Sequence, residues 1–482
     1  MNFLYYDQKL EYPNEKFDYS PSEFYPEYKG KTIASEKNSV YEAIRNIFIL
    51  NRMDLDHYGA QNWNPLGEFI RPGNTVLIKP NLVLHKNNLA GKEDSLDCMV
   101  THPSIIRCIL DYVMIALNGT GRVYIGDSPV KDCDFELLME KHHYNTIQQY
   151  YSDCEIIKWV DMRGPEEERK SSTSLKGVIV NLSKDSYFYS YKNQKGLRIP
   201  NYDYRMVVTH HHGETQEYCI SELVTQADVI INLPKPKTHR KNGYTGALKN
   251  FVGVSYNKEF LPHHTIGDKS KSGDEFYKQT ILKKTISNLR SQRDIIRNKS
   301  LEHTNDKVFK LLLRLEGYIR RLDNIVTPKG GLETVSEGIW YQNDTLWRTV
   351  LDLNNVVHYV DKNGVMRKEK QRIVIHLCDM IISGEKEGPL APTEKKENVL
   401  LFGTNAVELD ALLVRLMHFR IDRLRCIKVA LEDGLLDCAK YDDIVIYSND
   451  FRYNNKYLKE LDLSEFTPFR AASGWAGYIE EI

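Results

Sequence analysis

Residues 227–254 have the sequence ADVIINLPKPKTHRKNGYTGALKNFVGV, and this stretch decides the fold. Its first part, DVIIN at 228–232, is a continuous apolar run, which is typical of a strand covered on both faces. Two prolines and two lysines follow, and TGALKNFVGV (245–254) then predicts a helix. A buried strand that ends in a polar loop and continues into a helix is the unit of a parallel sheet with crossover helices.

The same alternation continues in both directions along the chain. Further strands are predicted at 75–78, 122–125, 155–160, 177–182, 205–209, 372–382, 398–402 and 443–448. Helices are predicted at 38–50, 104–117, 344–357 and 406–419 from apolar residues at helical spacing. The predicted fold class is therefore α/β, with a mixed, mostly parallel sheet, crossover helices and an inserted helical hairpin.

Changes in composition divide the chain into four segments. Residues 1–35 are rich in Tyr, Pro and Glu, and we interpret them as an extended N-terminal arm. Residues 36–268 form the first part of the α/β core. Residues 269–325, rich in Lys and Arg at helical spacing, form a helical insertion whose charges we interpret as a solvated face. Residues 326–482 form the second part of the core and a C-terminal tail.

The overall composition excludes several classes of protein. The 65 Lys and Arg balance the 66 Asp and Glu, which argues against binding to nucleic acid. No apolar stretch approaches the roughly 20 residues of a membrane span, and the N-terminus lacks a signal-peptide core, so we expect a cytoplasmic protein. The eight cysteines include no C-x-x-C pair, so no iron–sulfur motif is present.

Polar clusters follow five of the predicted strands at the point where each strand ends. They are Lys79–Asn81, Gly126–Pro129, 232–239, 379–389 and 403–405. In open parallel sheets the carboxyl edge is where ligands bind, near the point where strand order reverses. If the strands share one sheet, these clusters converge on one crevice, although each could also be an ordinary turn or connector.

The chemistry of these clusters suits a small anion. Lysines and the start of the helix near Thr245 could hold a phosphate or carboxylate. The candidate binding residues are Lys79, Asn81, His102, Ser128, Asn232, Lys235, Lys237, Thr238, Thr245, Lys249 and Asn250. The candidate catalytic residues are Asp127, His239, Asp379 and Glu385. These carboxylates could act as acid or base, hold a divalent cation, or only pair with the lysines.

Two histidine clusters suggest a different chemistry. His210, His211 and His212, with Cys219 near them, could supply metal ligands, and His263–His264 form a second pair. The alternative is a polar loop with hydrogen-bonded imidazoles. The sequence identifies no cofactor, and the choice of metal stays open.

Several of the motifs resemble a known family. VLIKPNLV, THPSIIRCILDYV, GRVYIGDSP, ADVIINLPKPKTHRKNGYTGALKNFVGV and IISGEKEGPLAPTEKKENVLLFGTNAVELDA are similar to the family called domain of unknown function 362, over roughly residues 70 to 415. Many members carry a Cys-rich iron–sulfur segment, which this chain lacks. The insertion and the tail PFRAASGWAGYIEEI look like features of a subgroup sometimes encoded near surface-polysaccharide genes. The resemblance implies a fold and a site but no established reaction.

Three functional hypotheses follow. The first is a cytoplasmic enzyme that acts on a small phosphorylated or carboxylate substrate, linked to surface-polysaccharide metabolism. The second is a non-catalytic ligand-binding or scaffold protein of a glycan-assembly pathway. The third is a metal-dependent redox protein that uses the His210–His212 run. The expected partner is a small anionic molecule, with no nucleic acid and no membrane span, and the oligomeric state stays open.

Overall fold

The computed structural model describes residues 1–13, 19–164, 175–299, 303–327 and 331–481. The strands are β1 (Asn2–Tyr6), β2 (Thr75–Pro80), β3 (Arg122–Asp127), β4 (Ile157–Asp161), β5 (Gly177–Asn181), β6 (Leu197–Arg198), β7 (His211–His212), β8 (Thr215–Ser221), β9 (Val229–Leu233), β10 (Lys237–His239), β11 (Gly243–Thr245), β12 (Ser255–Asn257), β13 (His264–Thr265), β14 (Ile373–Glu387), β15 (Ala391–Gly403), β16 (Val445–Ser448) and β17 (Lys456–Tyr457). The helices are α1 (Ser39–Leu50), α2 (Pro103–Leu117), α3 (Phe135–Lys141), α4 (Tyr144–Tyr150), α5 (Tyr204–His210), α6 (Glu222–Gln226), α7 (Ala247–Asn250), α8 (Ile281–Lys299), α9 (His303–Val326), α10 (Leu346–Tyr359), α11 (Ala406–Leu416) and α12 (Arg425–Glu432).

One large sheet organises the molecule, with strand order β17-β16-β1-β15-β14-β9-β2-β3-β4. The five strands β14, β9, β2, β3 and β4 are parallel to one another, whereas β15 is antiparallel to both of its neighbours. The predicted fold class, mixed α/β with a mostly parallel sheet, is confirmed. β1, which lies in the segment interpreted as an extended arm, is a strand of this sheet.

Side chains of the central strands alternate between two covered faces. On one face Val76 and Ile78 of β2 pack in the core formed with α1 and α2. On the other face Leu77 of β2 packs with Ile230 of β9 in a second core. Fully burying each of these side chains contributes about 1.5–3 kcal/mol, so double coverage explains why the predicted strands are continuous apolar runs.

Two segments predicted as strands of the central sheet do not belong to it. Residues 205–209 form helix α5 rather than a strand, because the Asp203 side chain caps the helix by accepting from Arg205 N at 3.0 Å. Only Val207 in this helix is buried. The strand prediction, which was based on three consecutive apolar residues, is wrong for this segment. The strand predicted at 177–182 is β5, but it belongs to a small separate sheet with β7, β8 and β12.

Helices α8 and α9 lie in the predicted insertion and pack on each other. Their contact contains the buried carboxylate of Glu316, which accepts from Arg290 at 2.9 Å and from Arg293 at 2.6 Å. The link between the two helices, residues 300–302, lies outside the described residues. No helix in the described part of the chain is long and apolar enough to cross a membrane.

Candidate functional site

A cavity of about 310 Å³ opens at the carboxyl edge of the sheet, beside the ends of β2, β3 and β9. The chain runs outward from β2 to β3 and β4 on one side, and β9 and β14 occupy the other side, so the strand order reverses between β2 and β9. This is the position at which open α/β sheets bind ligands. Eight sequence-predicted site residues line the cavity: Asn81, Asp127, Ser128, Lys237, His239, Thr245, Lys249 and Asn250.

A buried ion pair lies at the base of the cavity. Lys79 Nζ is 2.8 Å from Asp127 Oδ1, and both side chains are almost fully buried. Asp127 also accepts from Leu82 N at 2.6 Å and from Ser128 N at 2.7 Å. A Cβ at Gly253 would approach Asp127 Oδ1 to 2.0 Å, so a glycine is required here. The pair joins the ends of β2 and β3 and holds the Asp127 carboxylate in place.

A chain of amides connects β2, β9 and α7. Asn250 Nδ2 donates to Asn232 Oδ1 at 2.7 Å and to the Lys79 carbonyl at 3.2 Å. Asn81 Nδ2 donates to Asn250 Oδ1 at 3.0 Å, and Asn81 Oδ1 accepts from Lys237 Nζ at 3.2 Å. Asn232 lies behind the cavity wall, whereas Asn81 and Asn250 face the cavity. The network fixes the position of the Lys237 ammonium group.

Four lysines give the cavity its electrostatic character. Burial, together with the charge of Lys235, lowers the pKa of Lys237 to about 7. Burial also lowers the pKa of Lys258 to about 7 and the pKa values of Lys241 and Lys249 to about 8. None of these four lysines forms an ion pair with a carboxylate among the described residues. Burial removes each ammonium group from water and destabilises its charged form by more than the nearest carboxylates stabilise it, which explains the common direction of the shifts.

Several polar atoms at the cavity have no hydrogen-bond partner in the described part of the chain. They are Ser128 Oγ, Thr245 Oγ1 and Lys241 Nζ. Ser128 and Thr245 are only 3% and 4% exposed, so these hydroxyl groups have little access to solvent. Buried polar groups are nearly always satisfied, and an unsatisfied group costs about 1–3 kcal/mol. These atoms are therefore candidate ligand contacts.

Two histidines on the cavity wall hold complementary tautomers. His239 Nδ1 accepts from the backbone N–H groups of Lys241 and Asn242, both at 3.1 Å, so the proton of the neutral ring is on Nε2. His263 Nδ1 donates to the Leu261 carbonyl at 2.9 Å, so Nε2 of that ring keeps its lone pair. Burial lowers the pKa of His239 well below its ordinary value and that of His263 to about 3. His239 thus offers a donor, and His263 offers an acceptor.

Part of the cavity lining is apolar. Its lining side chains are Val83, Val130, Ile199, Pro200, Val252, Leu261, Ile339, Pro389 and Leu390. A lining that combines apolar side chains with a few polar groups is the usual construction of a small-molecule site. The cavity therefore matches a ligand that has both an anionic group and an apolar part.

Three predicted site residues belong to a separate buried cluster. Lys235 Nζ lies 3.0 Å from Asp379 Oδ2, and both side chains are fully buried. Asp379 also accepts from the Tyr12 hydroxyl at 2.6 Å and from His102 N at 2.9 Å. The Tyr12 and His102 rings stack at 3.8 Å. This cluster attaches the N-terminal segment to the sheet, and all four residues lie outside the lining of the cavity.

Two other candidates also make internal contacts. Glu385 accepts from Arg470 of the C-terminal tail, through the backbone N–H at 2.9 Å and through the guanidinium group. The Thr238 hydroxyl donates to the Lys386 carbonyl at 2.7 Å and joins β10 to β14. The fifth polar cluster, 403–405, lies outside the lining of the cavity, because β15 is antiparallel to β14 and the chain leaves its end towards the amino edge of the parallel strands.

The start of helix α7 is occupied by a protein carboxylate. Asp410 of α11 accepts from Ala247 N at 2.6 Å and from Leu248 N at 3.1 Å, and burial raises the pKa of Asp410 to about 7. The sequence analysis expected Thr245 to begin this helix and the helix N-terminus to face the crevice. Asp410 instead satisfies these N–H groups, and Thr245 contributes its hydroxyl to the cavity.

The three consecutive histidines lie away from the cavity. His210 Nδ1 is 2.6 Å from Glu217, and the ring stacks on Phe260. Both ring nitrogens of His211 have partners, because Nε2 donates to the Phe260 carbonyl at 2.8 Å and Nδ1 contacts Gln216 at 3.2 Å. His212 is exposed. Among the described residues, no group of three or more His, Cys, Asp or Glu side chains is arranged to hold a metal ion.

Sequence reasoning missed two of the four cavity lysines, Lys241 and Lys258. Lys241 directly follows the predicted polar run 232–239, and a longer window would have included it. Lys258 follows β12, which is not a strand of the central sheet. A search limited to residues at the carboxyl ends of the central strands therefore does not include it. Lys258 reaches the cavity because the chain returns to the sheet edge after α7.

The fold and site define a mixed α/β protein with a lysine-lined cavity at the carboxyl edge of its sheet. The chain belongs to the family described as domain of unknown function (DUF362), whose model matches residues 76–190 and 184–415. The chain is also similar to the thylakoid-associated protein sll1697 of Synechocystis sp., with 26% identity over 188 residues, 39% of this chain and 41% of that protein. That match thus spans less than half of the relative's length. No solved structure shows significant similarity to this chain.

Proposed function

We propose that this protein is a cytoplasmic enzyme that acts on a small anionic substrate, phosphorylated or carboxylate, bound in the lysine-lined cavity. The observation that carries the proposal is the set of four lysines with lowered pKa values and no carboxylate partner among the described residues. An anion placed among them supplies the missing counterion and forms charge-assisted hydrogen bonds. The hydroxyl groups of Ser128 and Thr245 would donate to the same anion.

The proton-transfer role falls to different residues from those expected from the sequence. Asp379 and Glu385 lie outside the cavity, and the Asp127 carboxylate is held by Lys79 and two backbone N–H groups. Lys237 lines the cavity with a pKa of about 7, which suits an acid or base that exchanges protons near neutral pH. We therefore assign the acid/base step to Lys237 and a fixed donor role to His239.

The apolar wall narrows the choice of substrate. A bare inorganic anion would leave Val83, Val252 and Leu390 in contact with water, whereas a substrate with an apolar or ring-shaped part would cover them. Sugar phosphates and uronic acids have this combination, and they also fit the link to surface-polysaccharide metabolism expected from the sequence. They are the first compounds to test.

The test is a thermal-shift screen with sulfate, inorganic phosphate, sugar phosphates, nucleotides and uronic acids. A ligand at about 100 times its Kd stabilises the fold by about 2.7 kcal/mol. We expect the shift to disappear in Lys249→Met, which removes one cavity ammonium group. The shift should persist in Lys141→Met, which removes a partly exposed lysine of α3 outside the cavity. An equal shift in both variants, or no shift with any anion, would contradict the proposal.

The test of catalysis uses a second variant, Lys237→Met. Each compound that binds is incubated with the protein and analysed for turnover by mass spectrometry. We expect Lys237→Met to lose turnover, and circular dichroism checks that the variant is folded. Binding without turnover by the wild-type protein, for every compound that binds, would instead support the non-catalytic binding function.

A further inference from the structure

The inner face of helix α9 packs on helix α8. This face contains Phe309, Leu312, Glu316, Ile319 and Asp323, which are buried or half-buried. Its two acidic residues are only 2% and 9% exposed, and Glu316 accepts from Arg290 and Arg293 of α8. The acidic side chains between 307 and 326 are therefore all turned away from solvent.

A second face of α9 is apolar and open to solvent. Its residues recur every three or four positions, which places them on one stripe of about 100° of the helix surface. They are Val308, Leu311, Leu315, Tyr318, Leu322 and Ile325, with exposed fractions from 37% to 79%. The end of α9 adds Val326, 75% exposed, and the start of α8 adds Ile281, 86% exposed. Contiguous exposed apolar surface of this kind marks an interaction site.

A row of cations lies along one edge of the stripe. Lys307, Arg314 and Arg321 are spaced by seven residues, so they share one side of the helix. All three are exposed, and none forms an ion pair with a carboxylate in the described part of the chain. The exposed surface of α9 therefore combines large apolar side chains with uncompensated positive charge.

We propose that α9 is a peripheral docking helix for bilayers that contain anionic lipids. Apolar side chains flanked by lysine and arginine are the composition of helices that lie in the plane of the lipid headgroups. The apolar stripe would enter the boundary of the acyl chains, and the cation row would contact lipid phosphates. The charge distribution of α9 is complementary to such a surface.

The same charges disfavour a second copy of this chain as the occupant. In an antiparallel pair of α9 helices, the cation rows of the two copies would face each other, which is destabilising. In a parallel pair, each cation row would face Leu312 and Ile319, which are half-buried on the inner face of the helix. Between residues 307 and 326, neither arrangement supplies a carboxylate, because Glu316 and Asp323 are buried.

The test is sedimentation of the full chain with vesicles of phosphatidylcholine alone or mixed with phosphatidylglycerol. We expect binding to the anionic vesicles only. The triple variant Lys307→Gln/Arg314→Gln/Arg321→Gln should weaken binding on the order of a hundredfold, since each basic residue near an anionic surface contributes a factor of about five. The variant Leu311→Ser/Leu315→Ser/Ile325→Ser should abolish binding. Phe451→Ser, which removes an 87% exposed side chain outside α9, should leave binding unchanged.

The proposal is overturned by equal binding to both kinds of vesicle, or by variants of α9 that bind as the wild type does. It is also overturned if light scattering shows a stable dimer that the three serine substitutions dissociate, with no vesicle binding, because the occupant is then a second copy. All substituted side chains are exposed, so unchanged circular dichroism and melting temperature are expected for each variant.

Discussion

Binding of a sulfate ion in the cavity should weaken steeply between about pH 6 and pH 9. Sulfate is a suitable probe because it keeps its charge over this range, whereas a phosphate monoester titrates near pH 6. In the free protein Lys237 and Lys258 have pKa values of about 7, and Lys241 and Lys249 have pKa values of about 8. A bound dianion favours the charged lysines and raises these pKa values.

The sign of the effect follows from proton linkage. The complex holds more protons than the free protein, so the affinity is greatest below about pH 7 and falls as the lysines of the free protein lose their protons. At pH 9 a lysine of pKa about 7 is roughly 1% charged, which costs about a hundredfold in affinity, and one of pKa about 8 costs about tenfold. Contact with one lysine of each kind predicts a decrease of about a thousandfold.

Isothermal titration calorimetry in two buffers of different ionisation enthalpy measures both the affinity and the protons taken up. We expect an uptake between one and two protons at about pH 8.5. Lys258→Met should reduce this uptake by about one proton, and Lys141→Met should leave it unchanged. Equal affinity at pH 6 and pH 9, or zero proton uptake, would show that these lysines do not bind the anion.

Three further predictions concern stability, each measured by urea denaturation. Gly253→Ala places a Cβ 2.0 Å from Asp127 Oδ1, so the buried ion pair between Lys79 and Asp127 must separate. The free energy of unfolding should therefore fall by about 3 kcal/mol. A change below about 1 kcal/mol would contradict this geometry. Gly317→Ala in α9, where no atom lies within 4 Å of the added Cβ, should increase the free energy of unfolding by about 0.5–1 kcal/mol, and a decrease would count against the helix. Lys235→Met leaves the Asp379 carboxylate buried without its cation and should cost about 3–5 kcal/mol; unchanged stability with lost binding would show that Lys235 binds ligand directly.

The architecture was predictable because its signal is local. The run DVIIN is apolar at consecutive positions because β9 is covered on both faces, and the sequence displays that burial directly. The segment 205–209 shows where this signal fails. Its apolar residues suggested a strand, but the capping contact from Asp203 and the packing around Val207 favour helix α5.

The candidate site was predictable only in outline. Placing polar residues at the ends of β2, β3 and β9 required only the rule that parallel strands share a carboxyl edge. That rule brought Asn81, Asp127 and Lys237 to one cavity. It failed for cluster 403–405, since the direction of β15 depends on its pairing with β14, and the sequence of β15 alone does not encode that pairing.

The sequence by itself determined the α/β alternation and the supply of lysines, amides and hydroxyl groups near the strand ends. Only the tertiary structure decided which lysines have counterions. Lys79 and Lys235 are paired with Asp127 and Asp379, whereas Lys237 lines the cavity and has no carboxylate within ion-pair distance among the described residues. The physical reason is that a charge in a protein is governed by burial and by neighbours within a few ångströms, and those neighbours come from residues far apart in the chain.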